Sequence, residues 1–190
     1  MRTFYHSLIP ALWLIWLVFW IAAALGVKET QRHESAVSRL SHHIPFILGG
    51  VLLGWPRILG MHLEQRFVPQ TLAWFWVAVV LIAIGLGFST AARVWLGGNW
   101  SGSVTVKKDH ELICTGPYAL VRHPIYTGLL LALVGTVLFV GKWRALIALV
   151  LLVFAIFRKI TIEERFMSEQ FGDVYARYRA EIPMLVPFLL

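Results

Sequence analysis

Five stretches of this chain are nearly free of charge: Leu8 to Val27, Ile44 to about Gly60, Thr71 to Leu96, Ile125 to Val140 and Trp143 to Phe157. Apolar runs of this length constrain the fold more than any other feature. In hydrocarbon no water satisfies backbone N–H and C=O groups, so such runs cross only as helices that bond internally. Apolar residues make up 58% of the 190 residues, with a mean hydropathy of +0.72. That is more than a soluble domain of this size needs. The expectation is an all-α integral membrane protein with about five transmembrane helices. It is read as one domain, 1–190, with spans in 1–96 and the chemistry in 97–190. Pro56 and Arg57 shorten the second span, and the last two spans are short for about 30 Å of hydrocarbon.

Basic residues set the expected orientation. With the C-terminus in the cytoplasm, that side holds Lys28, Arg32, Arg39, Arg93, Lys107, Lys108, Arg122, Arg158, Lys159, Arg165, Arg177 and Arg179. The other side holds Arg2, Arg57, Arg66, Lys142 and Arg144. Lysine and arginine favour the cytoplasmic side, so the loop Gly97–Pro124 and the C-terminal segment are expected there together. The net charge of +7 then reads as attraction to anionic lipid rather than to nucleic acid. Cys114, the only cysteine, forms no internal disulfide, and no metal site is expected. Ala22-Ala23-Ala24 faintly resembles a signal-peptide cleavage site, but the apolar stretch is long and a retained span is expected. Asn99-Trp100-Ser101 fits the short glycosylation pattern, which matches by chance often.

Thr161 to Ala180 has helical period. Met167, Phe171, Val174, Tyr175 and Tyr178 fall on one face, with Arg165, Glu169, Asp173 and Arg177 opposite as a solvated ladder. Glu164 lies on the aromatic face and Glu163 at its edge. An inward carboxylate needs a partner. A salt bridge to Arg122, Arg158 or Lys159 that pins the helix and a ligand-binding role both account for it.

The densest polar cluster is Gly116-Pro117-Tyr118 followed by Arg122-His123-Pro124-Ile125-Tyr126-Thr127-Gly128. It stands where a loop enters the bilayer, and polar groups at that depth are costly. Pro117 and Pro124 stiffen it. Gly116 and Gly128 permit tight turns or close approach of a ligand. The start of the fourth span offers N–H groups and positive dipole to a ligand carboxylate.

Gly-Asn-Trp-Ser, Gly-Pro-Tyr, Arg-His-Pro-Ile-Tyr-Thr-Gly, Glu-Glu, Phe-Gly-x-x-Tyr-x-x-Tyr and a late Pro follow in order from about Leu96 to Pro187. This succession resembles the isoprenylcysteine carboxyl methyltransferase family, related to the membrane phospholipid methyltransferases. The resemblance implies a membrane enzyme using S-adenosylmethionine in a cytoplasmic pocket. Gly116, Tyr118, His123, Pro124, Tyr126, Gly128, Glu163 and Glu164 are the implied cofactor residues. Glu164, Arg122, Tyr178 and Arg179 are the implied catalytic ones. No glycine-rich dinucleotide fingerprint is present.

Physically, methyl transfer from a sulfonium needs positioning above all. Tyr118 or Tyr126 suits the cation through its ring. Arg122 or Arg179 suits an acidic acceptor. A carboxylate acceptor needs no base, whereas a thiol or a protonated amine gains from one. The acceptor is expected to be lipophilic, reaching the site from the bilayer past Trp74, Trp76, Trp95 and Trp100, which also suit interface anchoring. Membrane lipids are the expected surroundings. Alternatives are a phospholipid-amine or thiol methyltransferase, an NADPH-dependent membrane reductase with Lys107-Lys108 for the 2′-phosphate, and a non-enzymatic membrane protein.

Overall fold

The computed structural model describes residues 2–26, 30–55, 61–100, 105–107 and 112–187. Six helices carry the fold: α1 (Arg2–Ala23), α2 (Ala36–Gly54), α3 (Leu72–Leu96), α4 (Pro124–Val140), α5 (Trp143–Phe171) and α6 (Asp173–Glu181). Three of them, α2, α3 and α5, are long and apolar enough to cross a membrane, and α1 and α4 contribute shorter apolar segments. Many large apolar side chains face outward, among them Ile15, Val18, Ile47, Val80, Ile84, Val150 and Phe154. That outward face suits lipid, so the protein is an integral membrane protein.

Local chemistry sets the helix ends. Ser35 caps α2 by accepting from the Ser38 N–H at 3.2 Å, and Thr71 caps α3 by accepting from the Trp74 N–H at 3.3 Å. Both are the expected N-cap residues. Pro124 opens α4, and Gly141 closes it in the left-handed conformation, φ 62°, which makes the tight turn into α5.

Several boundaries differ from the sequence expectation, the first helix among them, which runs from Arg2 to Ala23 rather than from Leu8 to Val27. The second span starts at Ala36 rather than Ile44, because the Ser35 cap begins the helix two turns early in polar sequence. Pro56 and Arg57 lie outside the described residues, as do Val27, Lys28, Ser101 and Lys108. The fifth span and the first part of the C-terminal amphipathic segment, Thr161 to Phe171, are one helix of 29 residues. It ends only where Gly172 adopts φ 50°. The turn at Gly172 breaks the single helical wheel, so Val174 is exposed while Tyr175 and Tyr178 are buried. A short antiparallel ribbon adds to the helices: β1 (Thr30–His33) pairs with β2 (Thr105–Lys107). It ties the segment after α1 to the loop before α4.

Small residues let the helices approach closely, as membrane packing favours. A Cβ on Gly85 would stand 2.4 Å from the Gly128 carbonyl oxygen, and one on Gly128 would stand 2.4 Å from the Gly85 carbonyl oxygen. Gly128, expected to face a cofactor, therefore spends its missing side chain on α3. Gly49 plays the same part between α2 and α5, against Ala148 and Leu152. α1 lies across α3 and α4, with Ile9 packed among Ala78, Ile82, Leu86 and Ala132. The Trp13 indole N–H donates to the Thr136 hydroxyl at 3.1 Å.

An ion cluster clamps the end of the bundle remote from the ribbon. Glu64 accepts from Lys142 at 2.6 Å and pairs with the Arg144 Nε at 2.8 Å. Arg144 also donates to the carbonyls of Leu52 and Leu53 at the end of α2, where positive charge complements the helix dipole.

Because Gly85 and Gly128 occupy one contact, Gly85→Ala should destabilise the protein about as much as Gly128→Ala. Each should cost roughly 1–3 kcal/mol of overpacking, and the double variant less than the sum. Thermal unfolding in detergent checks this; a silent Gly85→Ala with a damaging Gly128→Ala would return Gly128 to the ligand.

Candidate active site

The site forms where α5 passes under the start of α4. Arg122, His123 and Glu164 are all buried. The Arg122 Nε donates to Glu164 Oε1 at 2.9 Å, and the same oxygen lies 3.3 Å from His123 Nε2. Arg179, itself largely exposed, brings its Nε to 3.6 Å from Glu164 Oε2. Glu163 faces the neighbouring direction. Its Oε1 accepts the Tyr126 hydroxyl at 2.5 Å, and its Oε2 lies 3.7 Å from His123 Nδ1. The Tyr126 ring lies beside the His123 ring, with centroids 5.9 Å apart, and Lys159 Nζ lies 5.7 Å from the Tyr126 centroid. One histidine thus stands between two carboxylates that are adjacent in sequence. Glu163 is the more open of the pair, its side chain 23% exposed against 8% for Glu164.

The C-terminal segment straps this constellation down. The Arg122 N–H donates to the Pro183 carbonyl at 2.8 Å and the His123 N–H to the Met184 carbonyl at 3.1 Å. The Thr127 hydroxyl bonds the Leu185 carbonyl at 2.7 Å. Arg122 Nη1 donates to the carbonyls of Arg179, at 3.0 Å, and Ile182. The expected free N–H groups at the start of α4 are therefore reduced, since the one on His123 is taken. The Arg122 fork is likewise held by Glu164 and by carbonyls, which is the pinning reading of Glu164.

Other expected site residues are placed nearby in supporting positions. Gly116 has φ 61°, and a Cβ there would meet the Trp95 ring at 2.4 Å. Pro124 is fully buried in the first turn of α4. The Tyr178 hydroxyl donates to the Tyr118 carbonyl at 2.7 Å, which holds α6 to the Gly116–Ala119 turn. Burial pushes the hydroxyls of Tyr118, Tyr175 and Tyr178 up, aided by nearby Glu163 for Tyr118 and Glu164 for Tyr175. These phenols stay neutral. Burial also raises the Cys114 thiol. On the solvated face Arg165 pairs with Glu169 at 2.9 Å as its spacing predicts.

The sequence reading singles out neither Glu34 nor His42. Both are buried at the start of α2, with His42 Nε2 3.6 Å from Glu34 Oε1. The Ser35 N-cap is the local signal for the helix start that brings the two together.

Comparison with known proteins gives the family. Residues 73–174 match the sequence model of the phospholipid methyltransferase family. The chain belongs to that family, and its isoprenylcysteine methyltransferase motifs place it with those relatives. It is 33% identical to the protein-S-isoprenylcysteine O-methyltransferase of Schizosaccharomyces pombe over 115 residues, 59% of this chain and 49% of that one. It is 29% identical to the cobalt-zinc-cadmium resistance protein CzcN of Cupriavidus metallidurans over 163 residues, 83% of this chain and 65% of that protein. The chain thus spans about half the length of the yeast relative. The solved eukaryotic intramembrane Ras methyltransferase shares the fold, with a TM-score of 0.53 at 23% identity over 80% of this chain and 52% of that one.

Two outcomes follow from this geometry. Removing one partner of a buried ion pair costs roughly 3–5 kcal/mol, so Arg122→Ala should destabilise strongly and free residues 182–187 for carboxypeptidase digestion. Unchanged melting and an intact tail would contradict the strap. At high pH the unfolded tyrosines ionise near 10 while the buried ones hold their protons, so stability is full below that pH and falls above it. Melting temperature measured from pH 8 to 11 should decline from about pH 10, and less steeply in Tyr175→Phe.

Proposed function

We propose that this protein is an S-adenosylmethionine-dependent methyltransferase acting on a lipophilic acceptor, a prenylcysteine-type carboxylate. The observation that carries the reading is the meeting of Glu163 and Glu164 with His123 and Tyr126, two motifs separated in sequence and both implied by the family. All five apolar helices are read as crossings, with the site, the ribbon and the C-terminus in the cytoplasm; the twelve-to-five bias of basic residues supports this orientation.

The donor set fits the cofactor. Glu163, the more open carboxylate, suits an ammonium or ribose hydroxyls. The Tyr126 ring offers a π face to a cation. His123 and the first-turn N–H groups of Ile125 and Tyr126 suit the methionine carboxylate. Bound there, S-adenosylmethionine supplies an electrophilic methyl group on a sulfonium. The chain's own residues orient the ligands and exclude water. Glu164 is occupied by Arg122, His123 and Arg179, so it is poorly placed to accept a proton. That favours an acceptor already ionised, a carboxylate, over a thiol or a protonated amine.

Calorimetric titration of the detergent-purified protein with S-adenosylhomocysteine, with NADPH as control, tests the reading. Micromolar binding of the former is expected. Glu163→Gln should weaken it at least tenfold, about 1.4 kcal/mol. Radiolabelled methyl should pass to a prenylcysteine probe. Binding of NADPH alone would move the protein to the reductases, and full activity in Glu163→Gln would remove that carboxylate from the cofactor.

A further inference from the structure

We propose that Arg93 and the tryptophan stack of α1 form the acceptor site, Arg93 holding the acid group and the indoles the apolar chain. This rests on the methyltransferase reading and adds where its second substrate sits.

Among the described residues three arginines are buried: Arg93, Arg122 and Arg144. Arg122 has Glu164 at 2.9 Å and Arg144 has Glu64 at 2.8 Å. Arg93 has no carboxylate partner among the described residues. Its Nη1 donates to the Gly97 carbonyl at 2.8 Å and its Nη2 to the Ala23 carbonyl, so it caps the ends of α3 and α1. Its Nε is buried without a hydrogen-bond partner. Arg144 is the internal control: its Nε likewise makes no hydrogen bond of good geometry, but it stands 2.8 Å from a Glu64 carboxylate oxygen. It also caps a helix end, yet it carries a counter-charge. Helix carbonyls supply partial charge only, and a buried cation left at that is costly. An intramembrane ion held in this state is suited to a ligand of opposite sign.

The surroundings specify the rest of that ligand. The Arg93 guanidinium lies 4.5 Å from the Trp100 ring centroid. Trp100 meets Trp20 edge-on at 5.6 Å, Trp20 stacks on Trp16 at 4.6 Å, and Trp16 meets Trp13 at 5.8 Å. A run of indoles therefore leads from the cation along α1. An amphiphile with a carboxylate at one end and a long apolar chain complements it. Two residues beyond Arg93, the Trp95 indole N–H donates to the Thr115 hydroxyl at 3.1 Å, which holds the end of α3 against the turn that leads to the cofactor residues. The two carbonyls take two of the five guanidinium N–H groups, so the Nε–H and a second N–H on each Nη stay available to an acid group.

The test titrates full-length protein in detergent with N-acetyl-S-farnesylcysteine, with its neutral carboxamide, and with S-adenosylhomocysteine. Wild type should bind the acid at least tenfold tighter than the amide. Arg93→Gln should bind the two within twofold of each other and keep its S-adenosylhomocysteine affinity. Trp20→Ala should weaken both prenyl probes alike. A photoreactive analogue of the acid, used on wild type, should label residues 13–26 or 86–100, which guards against a variant that fails to fold. A preference for the acid that persists in Arg93→Gln, or labelling confined to other segments, would leave Arg93 a helix cap and overturn the proposal while cofactor binding stood. Wild type that binds neither S-adenosylhomocysteine nor either prenyl probe would remove the methyltransferase reading and the proposal with it.

Discussion

Glu164 puts a carboxylate inside a protein whose outer neighbours are hydrocarbon, and the site end of the molecule is built around neutralising it. A bare buried carboxylate is untenable. Arg122 answers it at 2.9 Å and His123 shares the same oxygen. Arg122 has donors left over, and they find the carbonyls of Arg179 and Ile182. That requirement fixes the path of the chain beyond α5. α6 must end beside Arg122, and the tail must run back along residues 122–127. The backbone bonds from Arg122 and His123 to Pro183 and Met184 complete a strap that no apolar contact alone would specify. A buried pair of this kind contributes little net stability and much geometric definition.

The rest of the bundle keeps the two halves of the pair in register. Arg122 precedes α4 and Glu164 lies far along α5, so any slip in their packing would separate them. Gly141 and Lys142 fix the turn between them, and Glu64 clamps that turn through Lys142 and Arg144. Gly128 then presses α4 onto α3. Charge clusters at both ends of the α4–α5 hairpin, with small residues between, hold the elements where lipid offers no hydrophobic drive for helices to associate.

The sequence made the apolar helices legible because hydropathy responds to the solvent a segment occupies; three are long enough to cross a membrane and two are shorter. It also made the site motifs legible: Arg122, His123, Tyr126, Glu163 and Glu164 do converge. Boundaries were hidden where polar sequence continues a helix. α2 begins at Ser35 in polar residues, and α5 runs on through Arg158-Lys159 because nothing before Gly172 can stop it. Long-range contacts were hidden altogether. No local pattern announces that Leu185 docks against Thr127, that Gly128 serves α3, or that Arg93 reaches Ala23, since each depends on a partner 58, 43 or 70 positions away.

The adjacency of Glu163 and Glu164 carries the last step. Consecutive residues on a helix point about 100° apart, so two identical side chains meet different surroundings. Glu164 turns toward two arginines and a histidine and is consumed in holding the fold. Glu163 turns toward the Tyr126 hydroxyl and remains partly open. One glutamate thereby secures the wall against which the other can meet a ligand. On the proposed reading this division also restricts the chemistry. A site whose inner carboxylate is neutralised by cations, and whose nearby phenols stay protonated, has little capacity to take up a proton. It suits a reaction in which none is released, the alkylation of an anion already formed.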